Sequence, residues 1–343
     1  MKRIPLDRLP EFFRAVNEKR SLYLPVDGKS GAEFKRFAEG DVLSDATNTN
    51  RSAKDFFFPQ TENMARFQME EGRIDVQQEE IDPEEKIVVF GARACDVKSF
   101  EVLDRVFLME PVDEFYKSRR ERAVVVALAC TRPEETCFCR TFGIDAADPA
   151  GDVSAWKTES EMLFRANTEK GEAFLEECAA LLTDGGEDEA EKAKKESRAI
   201  LDRLPLKDLP LEKWKKGAMM DFFNDPAWEE LSRPCLGCGT CTFVCPTCQC
   251  FDIRDFDTGH GVRRYRCWDS CMYSDFTLMS AGQPRPTQVE RFRQRFMHKL
   301  VYYPANNEGL FSCVGCGRCL KKCPVHANIV KVMKEVGGKN DAS

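Results

Sequence analysis

Seventeen cysteines punctuate this 343-residue chain, and eight of them fall into two identical runs. The first is Cys235, Cys238, Cys241, Cys245 followed by Pro246; the second is Cys313, Cys316, Cys319, Cys323 followed by Pro324. Each reads C-x2-C-x2-C-x3-C-P, a spacing that suits an iron–sulfur cubane. Three thiolates on one tight loop reach three corners of such a cube, and the fourth corner is met from elsewhere. Where two clusters share a chain, the last cysteine of each run ligates the other cluster. The spacing therefore predicts one [4Fe-4S] cluster on Cys235, Cys238, Cys241 and Cys323, and a second on Cys313, Cys316, Cys319 and Cys245. A single C-x2-C pair also suits tetrahedral zinc. Two full copies, each with the trailing Cys-Pro, argue for iron. Gly237, Gly239, Gly315 and Gly317 fill the gaps, where the lack of a Cβ lets backbone approach inorganic sulfur.

Four more cysteines gain meaning from the elements that carry them. Ile87 to Phe90 reads as an apolar strand, Asp96 to Phe107 as a helix with Val97, Phe100, Leu103 and Phe107 on one stripe, and Ala123 to Leu128 as a second apolar strand. Strand, helix, strand at this spacing is a parallel βαβ unit. The loops after both strands then open on one edge of the sheet, where open α/β sheets place ligands. Cys95 lies in the first loop; Cys130, Cys137 and Cys139 lie in the second. Four thiols at one edge are enough for a third cluster, with Arg93 to offset its charge. The alternative is ordinary half-buried cysteines; the spacing matches no ferredoxin run, so the third site rests on geometry.

The rest of the chain is read more coarsely. Leu6 to Lys19 has helical periodicity, and Ser21 to Pro25 with Ala32 to Phe37 reads as a strand pair across an Asp27-Gly28 turn. Arg51 to Glu62 is read as a loop that plugs aromatics into the core rather than a ligand site. Met162 to Ala166 reads as a strand, and Gly171 to Leu182 as a helix with Cys178 as a core residue. Thr183 to Lys195 is a solvated stretch. Prolines 205 and 210 mark a boundary near residue 215. The expected architecture is an α/β domain over 1–215, followed over 216–343 by a mainly α-helical, ferredoxin-like dicluster domain. A long insert at 246–312 separates its two cysteine runs. The insert carries Cys248, Cys250, Cys267 and Cys271, a possible fourth metal site. It also carries Arg263, Arg264, Arg266, Arg291, Arg293, Arg295, His298 and Lys299, which either tune the clusters or form a surface patch. Residues beyond Gly337 read as a disordered tail.

Composition narrows the function. A formal net charge of −7 argues against nucleic acid as the main partner. The cysteine spacings are those of metal sites, not of a disulfide framework, which implies reduced thiols and a cytoplasmic, anaerobic setting. Met1 to Phe13 lacks the apolar core of a signal peptide, and the longest apolar run, Ala123 to Cys130, is too short to span a bilayer. There is no Gly-x-Gly-x-x-Gly fingerprint, P-loop or nucleophile–histidine pair.

In combination, the segments Lys54-Asp-Phe-Phe-Phe-Pro-Gln-Thr-Glu62, Gly91-Ala-Arg-Ala-Cys-Asp-Val97, Thr136-Cys-Phe-Cys139, Cys241-Thr-Phe-Val-Cys-Pro-Thr-Cys-Gln-Cys-Phe-Asp252, Trp268-Asp-Ser-Cys271, Arg295-Phe-Met-His-Lys299 and Cys313-Val-Gly-Cys-Gly-Arg-Cys319 are specific. With them the chain resembles the family formed by the iron–sulfur subunit of anaerobic sulfite reductase and the beta subunit of sulfhydrogenase (sulfur reductase), from about residue 50 to 330. Ala94, where proline is expected, and the extra Cys267 are departures. The resemblance implies an electron-transfer subunit of a cytoplasmic complex. One partner would be a flavoprotein NAD(P)H-binding subunit. The other would be a catalytic subunit: a sirohaem sulfite reductase, a nickel–iron hydrogenase or a heterodisulfide-reductase assembly. The competing reading is a stand-alone iron–sulfur enzyme that reduces a sulfur compound at the N-terminal sheet edge. A zinc scaffold is the third.

Overall fold

The computed structural model describes residues 1–70, 72–79 and 85–337. The tail beyond Gly337 lies outside them. The N-terminal half is built on an eight-stranded mixed sheet with strand order β10-β1-β9-β8-β7-β6-β2-β3. Its strands are β1 (Lys2–Pro5), β2 (Ser21–Gly28), β3 (Gly31–Arg36), β6 (Ile87–Ala92), β7 (Ala123–Leu128), β8 (Val153–Lys157), β9 (Glu161–Ala166) and β10 (Thr183–Asp184). The centre is parallel: β2 pairs with β6, β6 with β7, and β7 with β8. The outer strands run antiparallel to their neighbours.

The apolar runs of β6 and β7 are buried on both faces, as central parallel strands must be. Alternation sorts them. Val88, Phe90, Val124 and Val126 pack with Phe12, Phe13 and Val16 of α1 (Leu9–Lys19) and with Phe174 of α4 (Glu169–Glu177). Val89 and Val125 face the other way, onto Phe100, Leu103 and Phe107 of α2 (Ala94–Phe107). Tyr116 of α3 (Glu114–Arg122) joins that second layer. So do Phe57 and Phe58, both fully buried, which makes the Arg51–Glu62 loop a core plug. Cys178 sits in the first layer, among hydrophobic residues. The stretch after Thr183 carries α5 (Glu187–Leu201), a 15-residue helix with Ala190, Ser197 and Leu201 buried.

A second, four-stranded antiparallel sheet has the order β11-β12-β4-β5. Here β4 (Thr61–Glu70) and β5 (Arg73–Gln78) come from the N-terminal half, whereas β11 (Phe251–Asp257) and β12 (Val262–Trp268) form a hairpin inside the insert between the cysteine runs. β12 pairs directly with β4, placing Arg266 opposite Glu62 and Cys267 opposite Thr61. The insert thus crosses the boundary placed near residue 215 and ties the two halves together. Leu209, Leu211 and Trp214 also reach forward, into a core with Phe222, Trp228, Phe296 and Met333.

The expectation of a mainly helical second half is met only in part. Its longest helix, Gln288–Met297, has 10 residues, and the rest are short. Next to them stands the hairpin of two 7-residue strands. No described helix is long and apolar enough to cross a membrane.

Candidate metal centres

Three small voids in this fold are each walled by one of the cysteine quartets. The first is lined by Cys235, Cys238, Cys241 and Cys323. The second is lined by Cys245, Cys313, Cys316 and Cys319. The third is lined by Cys95, Cys130, Cys137 and Cys139. Cys323 lines the first void with the first run, and Cys245 lines the second void with the second run.

Local structure explains each placement. In both runs a left-handed glycine, Gly239 or Gly317, stands at the start of a short helix, Thr240–Phe243 or Arg318–Lys322, that carries the third cysteine. Cys95 is the second residue of α2, whose start is held by the Asp96 carboxylate accepting the Arg93 N–H at 3.2 Å. Cys130 leaves the end of β7, and its N–H donates to the Ala146 carbonyl at 2.8 Å. Cys137 and Cys139 follow on the same loop.

The glycines of the second run line the second void and also press on a neighbouring loop. Gly315 adopts φ +60°, and a Cβ there would lie 2.5 Å from the backbone of Phe138 and Cys139. A Cβ on Gly317, at φ +76°, would meet the Thr136 carbonyl at 2.5 Å. Those contacts press the second cysteine run against the loop that bears Cys137 and Cys139. Phe138 N–H donates to the Gly315 carbonyl at 2.8 Å, and Asn48 Nδ2 donates to the Cys316 carbonyl at 3.0 Å. As a result Gly315 and Cys316 line both the second and the third void.

Electrostatics favours an anionic occupant. Burial pushes the Cys137, Cys139 and Cys316 thiols up to about 12, and Cys95 and Cys130 upward too. These five thiols ionise only when a metal takes their charge, whereas hydrogen bonds lower Cys238, from Thr240, and Cys245, from Cys248. The surrounding cations point the same way. Lys299 is buried; its ammonium donates to Thr247 Oγ1 (2.9 Å) and the Ser312 carbonyl (3.0 Å), with no carboxylate in reach among the described residues. Lys54 is buried as well, 2.9 Å from the Cys248 carbonyl and over the Trp268 ring at 3.6 Å, and burial pushes its ammonium below its ordinary value. Buried charges need partners. Four-thiolate iron–sulfur groups, which are anionic, fit these walls; neutral thiols do not balance them.

The remaining insert cysteines separate into two sets. Hydrogen bonding with Cys271 holds Cys250 down to about 7, and Cys248 neighbours Cys245 and Cys250. Cys267 stands apart, with Arg254, Asp252 and Asp269 as its charged neighbours. Among the described residues no three ligating side chains are disposed to hold a single metal ion. Of the eight basic insert residues, Arg295 and Lys299 line voids. Arg266 is spent in a buried network with Glu62 and Asp113, and Arg264 pairs with Asp255 at 2.8 Å on the surface. Sequence reasoning missed Lys54, and it missed the buried pair of Asp96 and Arg318 at 2.8 Å between the second and third voids.

Comparison with known proteins matches residues 234–327 to the 4Fe-4S dicluster domain. Sulfhydrogenase 2 subunit beta of Pyrococcus furiosus is 34% identical over 338 residues, covering 95% of each chain. The chain belongs to the sulfhydrogenase iron–sulfur subunit family. No solved structure matches it. Membership together with the dicluster domain makes it an electron-transfer iron–sulfur subunit that carries [4Fe-4S] clusters.

Proposed function

We propose that this chain is the relay subunit of a cytoplasmic anaerobic oxidoreductase complex with three [4Fe-4S] clusters. Cys235, Cys238, Cys241 and Cys323 hold the first, Cys245, Cys313, Cys316 and Cys319 the second, and Cys95, Cys130, Cys137 and Cys139 the third. Bound there, the clusters supply one-electron transfer. On this reading, residues 1–215 carry the third cluster on an α/β sheet. Residues 216–343, ferredoxin-like and helical where the two runs fold, carry the other pair around the insert at 246–312. One partner is an NAD(P)H-linked flavoprotein subunit. The other is a catalytic subunit of the sulfite reductase, sulfhydrogenase or heterodisulfide reductase type.

The observation that supports this best is contiguity. The first and second voids share Arg295 as a wall, and the second and third share Gly315 and Cys316. Three thiol-walled voids in a row suit a wire. The first void reaches the surface at Cys238, which is exposed. At the far end Cys139 also lines a surface groove with Arg140 and Arg198. These are two points where partners can exchange electrons.

Reduced viologen dye with the purified chain alone tests the reading. The chain is expected to bleach the dye stoichiometrically and then stop, without turnover of sulfite, polysulfide or a disulfide. Sustained turnover without partner subunits would replace the relay with an enzyme.

A further inference from the structure

Four arginines of the described chain are buried: Arg93, Arg266, Arg295 and Arg318. Three have their charge or hydrogen bonds answered by protein. Arg318 pairs with Asp96, and Arg266 with Glu62 and Asp113. Arg93 donates to the carbonyls of Ala46, Thr47, Leu128 and Ala129. Arg295 differs. It is 3% exposed, its Nη2 reaches the Cys241 carbonyl only at 3.5 Å, and its Nε is buried without a partner. No carboxylate lies within ion-pair distance of it among the described residues. Its guanidinium lies over the Phe296 ring at 4.3 Å, the thiols acting on it are Cys241 of the first quartet, Cys319 and Cys245 of the second, and Cys248, and it lines both voids.

We propose that Arg295 is the shared counter-cation of the first and second cavities, and that it raises the reduction potential of the cluster in each. The inference rests on the reading that both cavities hold [4Fe-4S] clusters. A four-thiolate cluster is anionic when oxidised and more so when reduced. A fixed, buried cation beside it stabilises the reduced form more. One residue placed between two such sites acts on both. Lys299 lines the second cavity alone, so it acts on one. Arg295 lies in the last turn of the helix Gln288–Met297, and Lys299 lies in the π-turn His298–Tyr302 that follows it.

The test uses the full chain, prepared anaerobically, with iron and acid-labile sulfide counted before an EPR-monitored redox titration. Arg295→Gln is expected to keep its iron and to lower two midpoint potentials. At the wild-type midpoint the oxidised-to-reduced ratio of each rises about tenfold, a shift of about 59 mV for a one-electron centre. Arg295→Lys, which retains the charge, recovers most of the shift, and Lys299→Met lowers one midpoint only. Unchanged midpoints in an iron-replete Arg295→Gln protein overturn the proposal, as does movement of a single midpoint or no recovery with lysine. If Arg295→Gln loses iron, retention in Arg295→Lys supports the charge requirement, and equal loss in both overturns it. A wild-type chain with fewer than about eight irons refutes the cluster reading itself, a separate failure.

Discussion

Asp96 and Arg318 join the α/β sheet to the second cysteine run, and breaking that pair is the sharpest structural perturbation available. Both side chains are 2% exposed. The contact is two-pronged, with Nη1 to Oδ1 at 2.8 Å and Nη2 to Oδ2 at 3.3 Å, while Arg318 Nε also donates to the Thr49 carbonyl at 3.1 Å. Asp96 meanwhile accepts the Arg93 N–H at 3.2 Å as part of the cap of α2. Asp96→Asn keeps the shape and strands a guanidinium in the interior. Removing one partner of a buried pair costs about 3–5 kcal/mol. Cys95 and Cys316 are the next charged neighbours of Arg318, so metal-bound thiolates would carry part of the load and hold the cost near the lower value. For a chain of this length each kcal/mol is worth about 1.4 °C, so a cost near 3 kcal/mol lowers the melting point by about 4 °C. The assay is an anaerobic thermal melt followed by circular dichroism on the wild type, Asp96→Asn, Arg318→Met and the double variant. The double variant melts above Asp96→Asn, because the stranded charge is gone. A drop of less than about 2 °C in Asp96→Asn, or a double variant no more stable than the single, would refute the reasoning.

Two further outcomes follow from the geometry. Gly315→Ala forces a Cβ into the Phe138–Cys139 backbone at a positive φ. It is expected to cost about 1–3 kcal/mol and to deplete the third cluster's EPR signal before the other two. His298 is held down to about 4 from its ordinary 6.5, by burial first and then by Lys299 and Arg285. Its folded pKa lies below its unfolded one, so the unfolded state binds the proton first and stability falls as pH drops from 7 toward 4. Between pH 7 and 5 the loss is about 2 kcal/mol, so urea titrations should show the wild type losing about that much more than His298→Asn across the range. Parallel pH profiles would show that the imidazole plays no part.

The two cysteine runs were legible because their information is local: the spacing of four side chains on one loop dictates what they can ligate. The third quartet was legible for a different reason. Parallel pairing of β6 and β7 forces the loops after both strands to one edge, so Cys95 and Cys130 meet although 35 positions separate them. The insert hairpin was not legible, because the apolar residues of Phe251–Asp257 and Val262–Trp268 slip between odd and even positions and so give no clean strand alternation. Its choice of β4 as partner is a long-range pairing that no local pattern encodes. Buried charges were the least legible. Arg291, Arg295 and Lys299 share a helix face by spacing, which narrows eight candidates to three. Lys54 reads as one more loop cation, and only the packing of Trp268 and Cys248 around it reveals its burial.

The third cluster separates a three-station relay from a two-cluster ferredoxin module, and counting metal tests it most directly. Iron and acid-labile sulfide per chain, measured on anaerobically prepared protein with EPR of the reduced form, should come to about 12 of each. A Cys95→Ala, Cys139→Ala double variant should fall by about 4 while the two ferredoxin-type signals persist. A wild-type value near 8, unchanged in that variant, would contradict it and reduce Cys95, Cys130, Cys137 and Cys139 to residues that only pack.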